Sequence, residues 1–290
     1  ARLIRPDIAV VTCIGSEHLS SFRTLEATRA EKAKMVQALP TGGLAVLNGD
    51  DRHVLWMRDA ARARVITYGL GVENDVRASG ATLDGPAGTR FTLHVGDEAH
   101  SVRTRMIGRP MVHPILAAVA VAHAEGRELG PVLAAMAGLE PTANRLEPIR
   151  HASGALILLD AFKGALETIH AGLDAVDELP ARRKIVVLGD VEEPPGSQGP
   201  IYKEVGRHVA HVAERVYYLG GKTNLARLRV GTMSGGLARE ALVHVRTGPR
   251  EAADMLGPEL QPGDVVLIKG RSTEHFERIE RELGRVAEAA

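Results

Sequence analysis

Cysteine and aromatic residues are scarce in this sequence of 290 residues. Its single cysteine, Cys13, excludes a disulfide bond within the chain, and its position in an apolar run predicts a buried thiol in a reducing compartment. Aromatic residues make up 3% of the chain, so few side chains can stack on the bases of single-stranded nucleic acid. Nucleic acid is therefore not expected as a partner.

The sequence also lacks a net charge and a long apolar run. Lysine plus arginine and aspartate plus glutamate number 36 each, so no overall field attracts the chain to nucleic acid or to an anionic membrane. No apolar segment approaches the roughly 18 residues that a membrane-spanning helix requires. We therefore expect a folded cytoplasmic protein without a membrane partner, in which 44% apolar residues supply the cores of two domains.

A phosphate-binding loop (P-loop) of the form Gly-x-x-x-x-Gly-Lys-Ser/Thr is missing from these 290 residues. Residues 220–223 contain Gly-Lys-Thr but lack the first glycine of the motif, and we interpret them as a chance match. The sequence thus lacks the backbone amides and the lysine that surround the phosphates of ATP in such loops. Other residues must bind any phosphate group here.

The first half of the chain alternates between strand and helix patterns. Residues 8–14 and 42–47 are apolar runs that are typical of parallel strands covered on both faces. Short alternating segments with turn residues between them predict a small antiparallel insert over residues 76–105. The predicted helices cover residues 25–39, 52–63, 111–125 and 129–136.

The alternation starts again after Pro141. Each predicted strand ends at Asp, Gly or Lys and precedes a helix, as in a doubly wound sheet that binds ligands beyond the carboxyl ends of its strands. We therefore predict an α/β fold with two domains, residues 1–142 and a Rossmann-like domain of residues 143–290. The predicted strands of this second domain cover residues 155–159, 184–188, 215–219 and 265–268, and its predicted helices cover residues 165–176, 201–213, 249–256 and 274–287.

Several polar residues of the first half follow predicted strands. His18 lies just past the first strand, where an imidazole can bind a metal or orient a phosphate, and Lys32 follows fourteen residues later on a helix. By residue type alone, each is more often an ordinary surface residue. Asn48, Asp50 and Asp51 follow the second strand, and by themselves they also fit an Asx-type turn before a helix.

The second half carries similar candidates. Arg145 precedes the first strand of this half, and its planar guanidinium suits phosphate oxygens, while Asp160 ends that strand. Asp190 ends the next strand, and Lys269 and Arg271 end the last one. Cationic side chains beside the amides of a helix start can bind a carboxylate, although a capped strand-to-helix turn explains the same residues equally well.

Together these motifs resemble those of the ATP-dependent Mur ligases, most closely the branch that adds D-alanyl-D-alanine to UDP-N-acetylmuramoyl tripeptide. The resemblance implies a P-loop-type central ATPase domain without its P-loop segment over residues 1–142, followed by the C-terminal domain of the family. It implies catalytic roles for His18, Lys32 and Arg145. It also implies that His18 and a carbamylated Lys32 bind Mg²⁺, because a carbamate supplies the oxygen donors that this ion prefers.

The resemblance further implies that Asn48, Arg145, Asp160 and Lys163 bind ATP, with Arg145 on the phosphates and Asp160 on the ribose. The sequence departs from the family at Lys163, at Cys13 and at Pro114, each of which replaces a usual asparagine. The family asparagine at position 114 contacts adenine, and a proline offers no side-chain hydrogen bond for that purpose. Substrate binding is implied for the loops with Asp190, Lys269 and Arg271.

The implied reaction joins a small-molecule or peptide-like carboxylate to an amine through an acyl phosphate made from ATP, as in peptidoglycan biosynthesis. The P-loop would then lie on an upstream segment or on a partner chain, or this paralogue has lost its ATPase activity. Two alternatives remain open. The chain is a catalytically reduced subunit that acts in a complex, or it is a ligase of the polyglutamate or cyanophycin type.

Overall fold

The computed structural model describes residues 4–16 and 19–289, which form two compact units. The first unit consists of residues up to 140 except 106–108, and the second consists of residues 106–108 and those from 141 onward. Each unit contains a six-stranded sheet whose core strands run parallel. The predicted α/β fold class is confirmed.

The sheet of the first unit has the strand order β1-β2-β3-β4-β5-β6. Strands β1 to β4 pair in parallel, and β4 to β6 form an antiparallel meander, which confirms the predicted insert. The strands are β1 (Ile8–Val11), β2 (Leu44–Asn48), β3 (Arg64–Gly69), β4 (Val76–Leu83), β5 (Thr89–Val95) and β6 (Glu98–Thr104). The helices of this unit are α1 (Leu19–Phe22), α2 (Leu25–Gln37), α3 (Arg52–Leu55), α4 (Val112–Ala124) and α5 (Leu129–Ala137).

Strand β2 shows why the first unit has apolar runs without alternation. Leu44 and Val46 pack with α4 on one face of the sheet, whereas Ala45 and Leu47 pack with α2 on the other face. A strand that is buried on both faces loses apolar surface from every residue, so each position favours an apolar side chain.

The sheet of the second unit has the strand order β11-β10-β9-β12-β8-β7 and is parallel except for the edge strand β7. Helices α9 and α10 cover one face, and α6 packs on the other face, where Gly172 allows Leu267 to approach closely. The strands are β7 (Glu147–Arg150), β8 (Leu156–Asp160), β9 (Arg183–Gly189), β10 (Arg215–Leu219), β11 (Leu242–His244) and β12 (Asp264–Lys269). The helices are α6 (Leu166–Glu178), α7 (Gln198–Val212), α8 (Lys222–Ser234), α9 (Pro249–Leu256) and α10 (Glu277–Ala289).

The structure corrects three sequence expectations. The second sheet has six strands within the described residues where four were predicted, because β7 and β11 are short edge strands of four and three residues. Strand β3 and helix α8 were also not predicted. Cys13 is exposed and not buried, since the chain leaves β1 two residues earlier.

None of the helices in the described part of the chain is long and apolar enough to cross a bilayer.

Candidate active site

Of the two residues predicted to bind a metal, the structure describes only one. His18 lies outside the described residues. Lys32 is exposed on α2, a helix that buries Ala33 and Val36 in the core. Within the described residues, no cluster of three or more His, Cys, Asp or Glu side chains is arranged to hold a metal ion. The metal-binding roles of His18 and Lys32 therefore stay predictions.

Asn48 and Asp51 organise the carboxyl end of β2. The Asn48 amide donates to the carbonyl of Thr12 at 2.8 Å and accepts from the backbone N–H of Asp50 at 3.0 Å. One carboxylate oxygen of Asp51 caps α3, and the other accepts from the backbone N–H of Ile14 at 2.8 Å. These contacts fix the loop after β1 against the loop after β2. They engage both ends of the Asn48 amide, while its predicted nucleotide contact stays a prediction.

Asp50 collects hydrogen bonds at the carboxyl ends of β2 and β3. Its carboxylate accepts from the backbone amides of Leu70 at 2.6 Å and Gly71 at 2.9 Å, and from the Asn74 side chain at 3.0 Å. His113, in the first turn of α4, also contacts Asp50 at 2.9 Å. Burial by itself raises the pKa of Asp50, but these hydrogen bonds outweigh burial and hold that pKa below its usual value.

Pro114 occupies the third position of α4, directly after His113. A proline costs little there because the first backbone N–H groups of a helix have no partner within the helix. The side chain that offers a hydrogen bond at this helix start is thus His113. Sequence inspection did not single out His113, because its partner Asp50 lies 63 positions earlier.

A buried ion pair joins two predicted site residues in the second unit. Lys269 Nζ lies 2.6 Å from Asp160 Oδ2, and the two side chains are only 1% and 11% exposed. Strands β8 and β12 are parallel neighbours in which Asp160 is the register partner of Lys269, so the pair forms at their common carboxyl edge. Burial raises the pKa of Asp160 and lowers the pKa of Lys269, and the attraction between the two charges opposes both shifts.

Arg145 lies at the same edge, in a strained turn. Its neighbours Asn144 and Leu146 both have positive φ angles, of 60° and 48°, which non-glycine residues rarely adopt. Such strain persists only where surrounding contacts stabilise it. Glu147 accepts a hydrogen bond from the backbone N–H of Asn144 at 2.9 Å, and Asp160 accepts one from the backbone of Leu146.

The Arg145 guanidinium stacks on the ring of Phe162, with its central carbon 4.3 Å from the ring centroid. Such stacking of a cation on an aromatic face stabilises the side chain and leaves the guanidinium edge available for an anion. The positive charge of Arg145, taken by itself, lowers the pKa of Asp160 and that of Lys269, and for Asp160 it thus opposes the effect of burial. Arg145, Asp160 and Lys269 are therefore electrostatically coupled.

The neighbouring loops are tied to one another at this edge. The backbone N–H of Glu192 donates to the carbonyl of Gly164 at 2.7 Å, and the Gly164 N–H donates to the Glu192 carboxylate at 3.2 Å. Lys163, one residue earlier, is half-buried in the loop between β8 and α6. Its predicted contact with ATP stays a prediction.

Arg271 pairs with Glu274 in the loop after β12, at 2.7 Å. The hydrogen bond to Glu274 raises the pKa of Arg271, which keeps the guanidinium charged. Arg271 Nε and Glu274 Oε2 are buried atoms without a hydrogen-bond partner within the described residues. A ligand that carries both a carboxylate and an ammonium group suits the accessible remainder of this ion pair, whose side chains are 36% and 29% exposed.

Asp190, at the carboxyl end of β9, holds several elements of the second unit together. Its carboxylate accepts from the hydroxyl groups of Tyr202 and Tyr218, from the Asn224 side chain at 2.8 Å and from the Gly221 amide at 3.1 Å. Burial alone raises the pKa of Asp190, but the hydrogen bonds outweigh it and lower that pKa. These contacts favour a positioning role, and the predicted contact with substrate stays a prediction.

Comparison with protein families assigns both units. Residues 1–122 match the family model of the Mur ligase middle domain, and residues 144–272 match the Mur ligase glutamate ligase domain. The chain belongs to the Mur ligase family. The sequence resemblance to this family is thereby confirmed.

Curated Mur ligases resemble most of the chain. The UDP-N-acetylmuramoyl-tripeptide–D-alanyl-D-alanine ligase of Mycobacterium tuberculosis H37Rv is 30% identical over 287 residues, covering 93% of this chain and 56% of the relative. The UDP-N-acetylmuramoyl-L-alanyl-D-glutamate–2,6-diaminopimelate ligase of Geobacillus kaustophilus is 28% identical, covering 94% and 57%. The chain thus spans little more than half the length of these relatives.

Solved Mur ligases share the fold. The MurF ligase of Thermotoga maritima in complex with ADP superposes with a TM-score of 0.83 at 20% identity, covering 98% of this chain and 63% of that structure. MurF from Acinetobacter baumannii has the same TM-score at 22% identity, covering 98% and 61%. At these identities the likeness shows the fold alone.

Proposed function

We propose that the chain forms the central and C-terminal parts of an ATP-dependent ligase that joins a carboxylate to an amine in the assembly of a peptidoglycan precursor. We place the division between these parts at residues 142 and 143. The main support for the proposal is the group of interacting charges formed by Arg145, Asp160 and Lys269. This group lies at the carboxyl edge of the second sheet, in a chain of the Mur ligase family. A cytoplasmic location and substrates like those in the names of the curated relatives belong to this proposal.

The proposed reaction has two balanced steps. A carboxylate oxygen of the first substrate attacks the γ-phosphorus of ATP, which forms an acyl phosphate and releases ADP. The amine of the second substrate then attacks the acyl carbon, the C–O bond to phosphate breaks, and inorganic phosphate and a proton leave. An amide is the product, and ATP supplies the driving force.

The residues of the second unit have distinct proposed roles. Arg145 binds the phosphate oxygens through its guanidinium edge and stabilises the negative charge on the transferred group. Asp160 holds the ribose, and because its side chain is only 11% exposed, that contact uses the small part of the carboxylate that Lys269 leaves open. Arg271 and Glu274, which are 36% and 29% exposed, bind the carboxylate and the ammonium group of the incoming amine substrate through their accessible atoms.

Mg²⁺ fits the chemistry of one residue that the structure describes. Lys32 is exposed, so carbon dioxide can add to its amine nitrogen, which loses a proton to solvent and leaves a carbamate with two oxygen donors. Together with His18, the carbamate would hold the ion, which would neutralise charge on the phosphates. Lys32 would present this anionic group from helix α2.

The open edge of the first sheet supports the proposal that a P-loop segment joins this chain. Strand β1 pairs only with β2 among the described strands, and Val10 on β1 is 44% exposed. An exposed apolar side chain on an edge strand favours the packing of a further segment there. We propose that an upstream segment or a partner chain supplies the P-loop beside β1.

Replacing Arg145 by alanine tests the proposed nucleotide site. We expect Arg145→Ala to weaken ATP binding at least about tenfold, because a hydrogen bond to a charged group contributes roughly 1.5–3 kcal/mol and tenfold corresponds to about 1.4 kcal/mol. The measurement is isothermal titration of the protein, together with the segment that carries the P-loop, with ATP and MgCl₂.

The matched control is Arg150→Ala, which removes an exposed arginine from the far end of β7. This variant should bind ATP like the unsubstituted protein. Equal weakening by both substitutions would contradict the assignment of Arg145. A complete absence of ATP binding in the unsubstituted protein would instead favour the catalytically reduced subunit, an alternative that the lost asparagine at Pro114 also favours.

A further inference from the structure

A polar cavity of about 520 Å³ lies in the first unit, at the amino end of β3. Arg64 and Ile66 line it from β3, and Gly96 lines it from the turn between β5 and β6. Asn74 also lines the cavity and donates to Asp50 at 3.0 Å, whereas Asn48, the proposed nucleotide contact of this unit, lies at the carboxyl end of β2. Ligand pockets typically measure about 300–1,000 Å³, so a small metabolite fits this volume.

The pairing of β3 explains the cavity. Strand β3 pairs with β4 only from Tyr68 onward, so no described strand lies beside its first half on this side. On the same side, the backbone N–H of Thr67 donates to the Asp75 carboxylate at 2.7 Å. Backbone groups of alternate residues in a strand point to the same side, so the N–H and C=O of Val65 also face this gap. The cavity thus borders the side of β3 that pairs with no described strand before Tyr68.

The lining of the cavity has an excess of basic side chains. Asp75 is its only carboxylate among the described residues, and one oxygen of that carboxylate already accepts from the Thr67 backbone and hydroxyl groups. The guanidinium groups of Arg64 and Arg77 form no ion pair or hydrogen bond within the part of the chain that the structure describes. The basic and imidazole side chains are Arg64, Arg77, His94 and His123.

We propose that this cavity binds a small organic phosphate at a site separate from the ligase centre. Two guanidinium groups without internal partners can each donate two parallel hydrogen bonds to a phosphate, a geometry that lysine cannot offer. His94 Nε2 is held by Ser79 Oγ at 2.8 Å, which orients its ring. The volume exceeds that of a bare phosphate and leaves room for an organic body beside Val65.

Isothermal titration of the full chain with ribose 5-phosphate tests this site. We expect saturable binding that Arg64→Gln and Arg77→Gln each weaken at least about tenfold, because each substitution removes a charged donor pair. Glutamine retains much of the side chain, and Arg64 is exposed, so both variants should fold. Their thermal unfolding temperatures verify this.

Two control variants test whether ribose 5-phosphate binds in this cavity and not elsewhere on the chain. Arg103→Gln removes a 74% exposed arginine of β6 that lies outside the cavity, and it should leave the affinity unchanged. Arg145→Gln alters the proposed nucleotide site in the second unit, and binding should persist in it. The proposal is overturned if ribose 5-phosphate does not bind, if Arg103→Gln weakens binding as much as Arg64→Gln, or if Arg145→Gln abolishes it. ATP binding in the second unit is measured separately with Arg145→Ala, so failure of the cavity site leaves the proposed ligase function standing.

Discussion

Substitution of Lys269 by methionine should lower the free energy of unfolding by about 3–5 kcal/mol at neutral pH, the usual cost of removing one partner from a buried ion pair. Methionine preserves most of the volume but leaves the Asp160 carboxylate without its counter-charge in a site where it is 11% exposed. Chemical denaturation of the variant and the unsubstituted protein measures the difference.

The loss should shrink in acid. Burial already raises the pKa of Asp160, and removal of Lys269 raises it further, so the variant carries a neutral carboxyl as the pH falls. Since the folded variant then binds a proton more readily than the unfolded chain, its stability is greatest below the unfolded pKa and falls as the pH rises from there through the folded pKa.

Lys184→Met is the matched control for this prediction. Lys184 pairs with the 46% exposed Asp177 at 3.4 Å, and a partly exposed pair of this kind contributes about 1 kcal/mol or less. A second control combines Lys269→Met with Asp160→Leu, which removes both charges and should recover part of the lost stability. Equal effects of Lys269→Met and Lys184→Met would show that the buried pair has no special energetic role.

Substitution of Asp264 by alanine should destabilise the second unit by about 3 kcal/mol at pH 7, again because a buried ion pair loses one partner. Asp264 is fully buried at the start of β12. Its carboxylate accepts from the Arg183 side chain at 2.7 Å and from the backbone N–H of Gln261 at 3.0 Å. Thermal or denaturant unfolding monitored by circular dichroism measures the loss.

The effect of Asp264→Ala should also depend on pH. Burial raises the pKa of Asp264, but the hydrogen bond and charge of Arg183 outweigh burial and hold the pKa below its usual value. Its stabilisation is therefore present above the unfolded pKa of about 3.9 and disappears as the pH falls through the folded pKa. Asp254→Ala, in an exposed pair with Arg250 at 4.0 Å, is the control and should change stability little. A loss with Asp264→Ala that does not diminish below pH 4 would contradict this electrostatic explanation.

The sequence predicted the strands that are buried on both faces of a sheet, because such strands appear in the sequence as unbroken apolar runs. Strands β2, β8 and β12 satisfy this condition. Strand β11 is a three-residue edge strand, so its contribution to the sheet depends on its neighbour β10 more than on its own pattern. Helix α8 carries polar and apolar residues without a clear apolar face, and tertiary packing stabilises it.

In the candidate site, too, the sequence revealed single residues at strand ends but not the contacts between residues that are far apart in the sequence. Asp160 and Lys269 were candidates because each residue ends an apolar strand, and their predicted roles came from the family resemblance. Their ion pair was not predicted, because it joins residues 109 positions apart and depends on β8 and β12 being neighbours. The hydrogen bonds of Asp190 were missed for a similar reason, since Tyr218 comes from β10 and reads in the sequence as an ordinary strand residue.

Cys13 illustrates how a local pattern can mislead. It lies within an apolar run of residues 8–14, but the regular strand ends at Val11 and the chain then turns toward the carboxyl edge of the sheet. The Asp51 carboxylate fixes the next residue, Ile14, through its backbone N–H. Hydropathy alone does not reveal where the regular hydrogen bonding of a strand stops.

The most direct measurement of the central claim is hydroxylamine trapping during turnover of this protein together with its P-loop segment. With ATP, MgCl₂ and the UDP-N-acetylmuramoyl tripeptide named for its relatives, a carboxylate-activating ligase should release ADP and convert the carboxylate into a hydroxamate, in amounts that match. Arg145→Ala should reduce both products together. Release of ADP without hydroxamate, or no ATP consumption with any carboxylate substrate of the Mur ligases, would contradict the account.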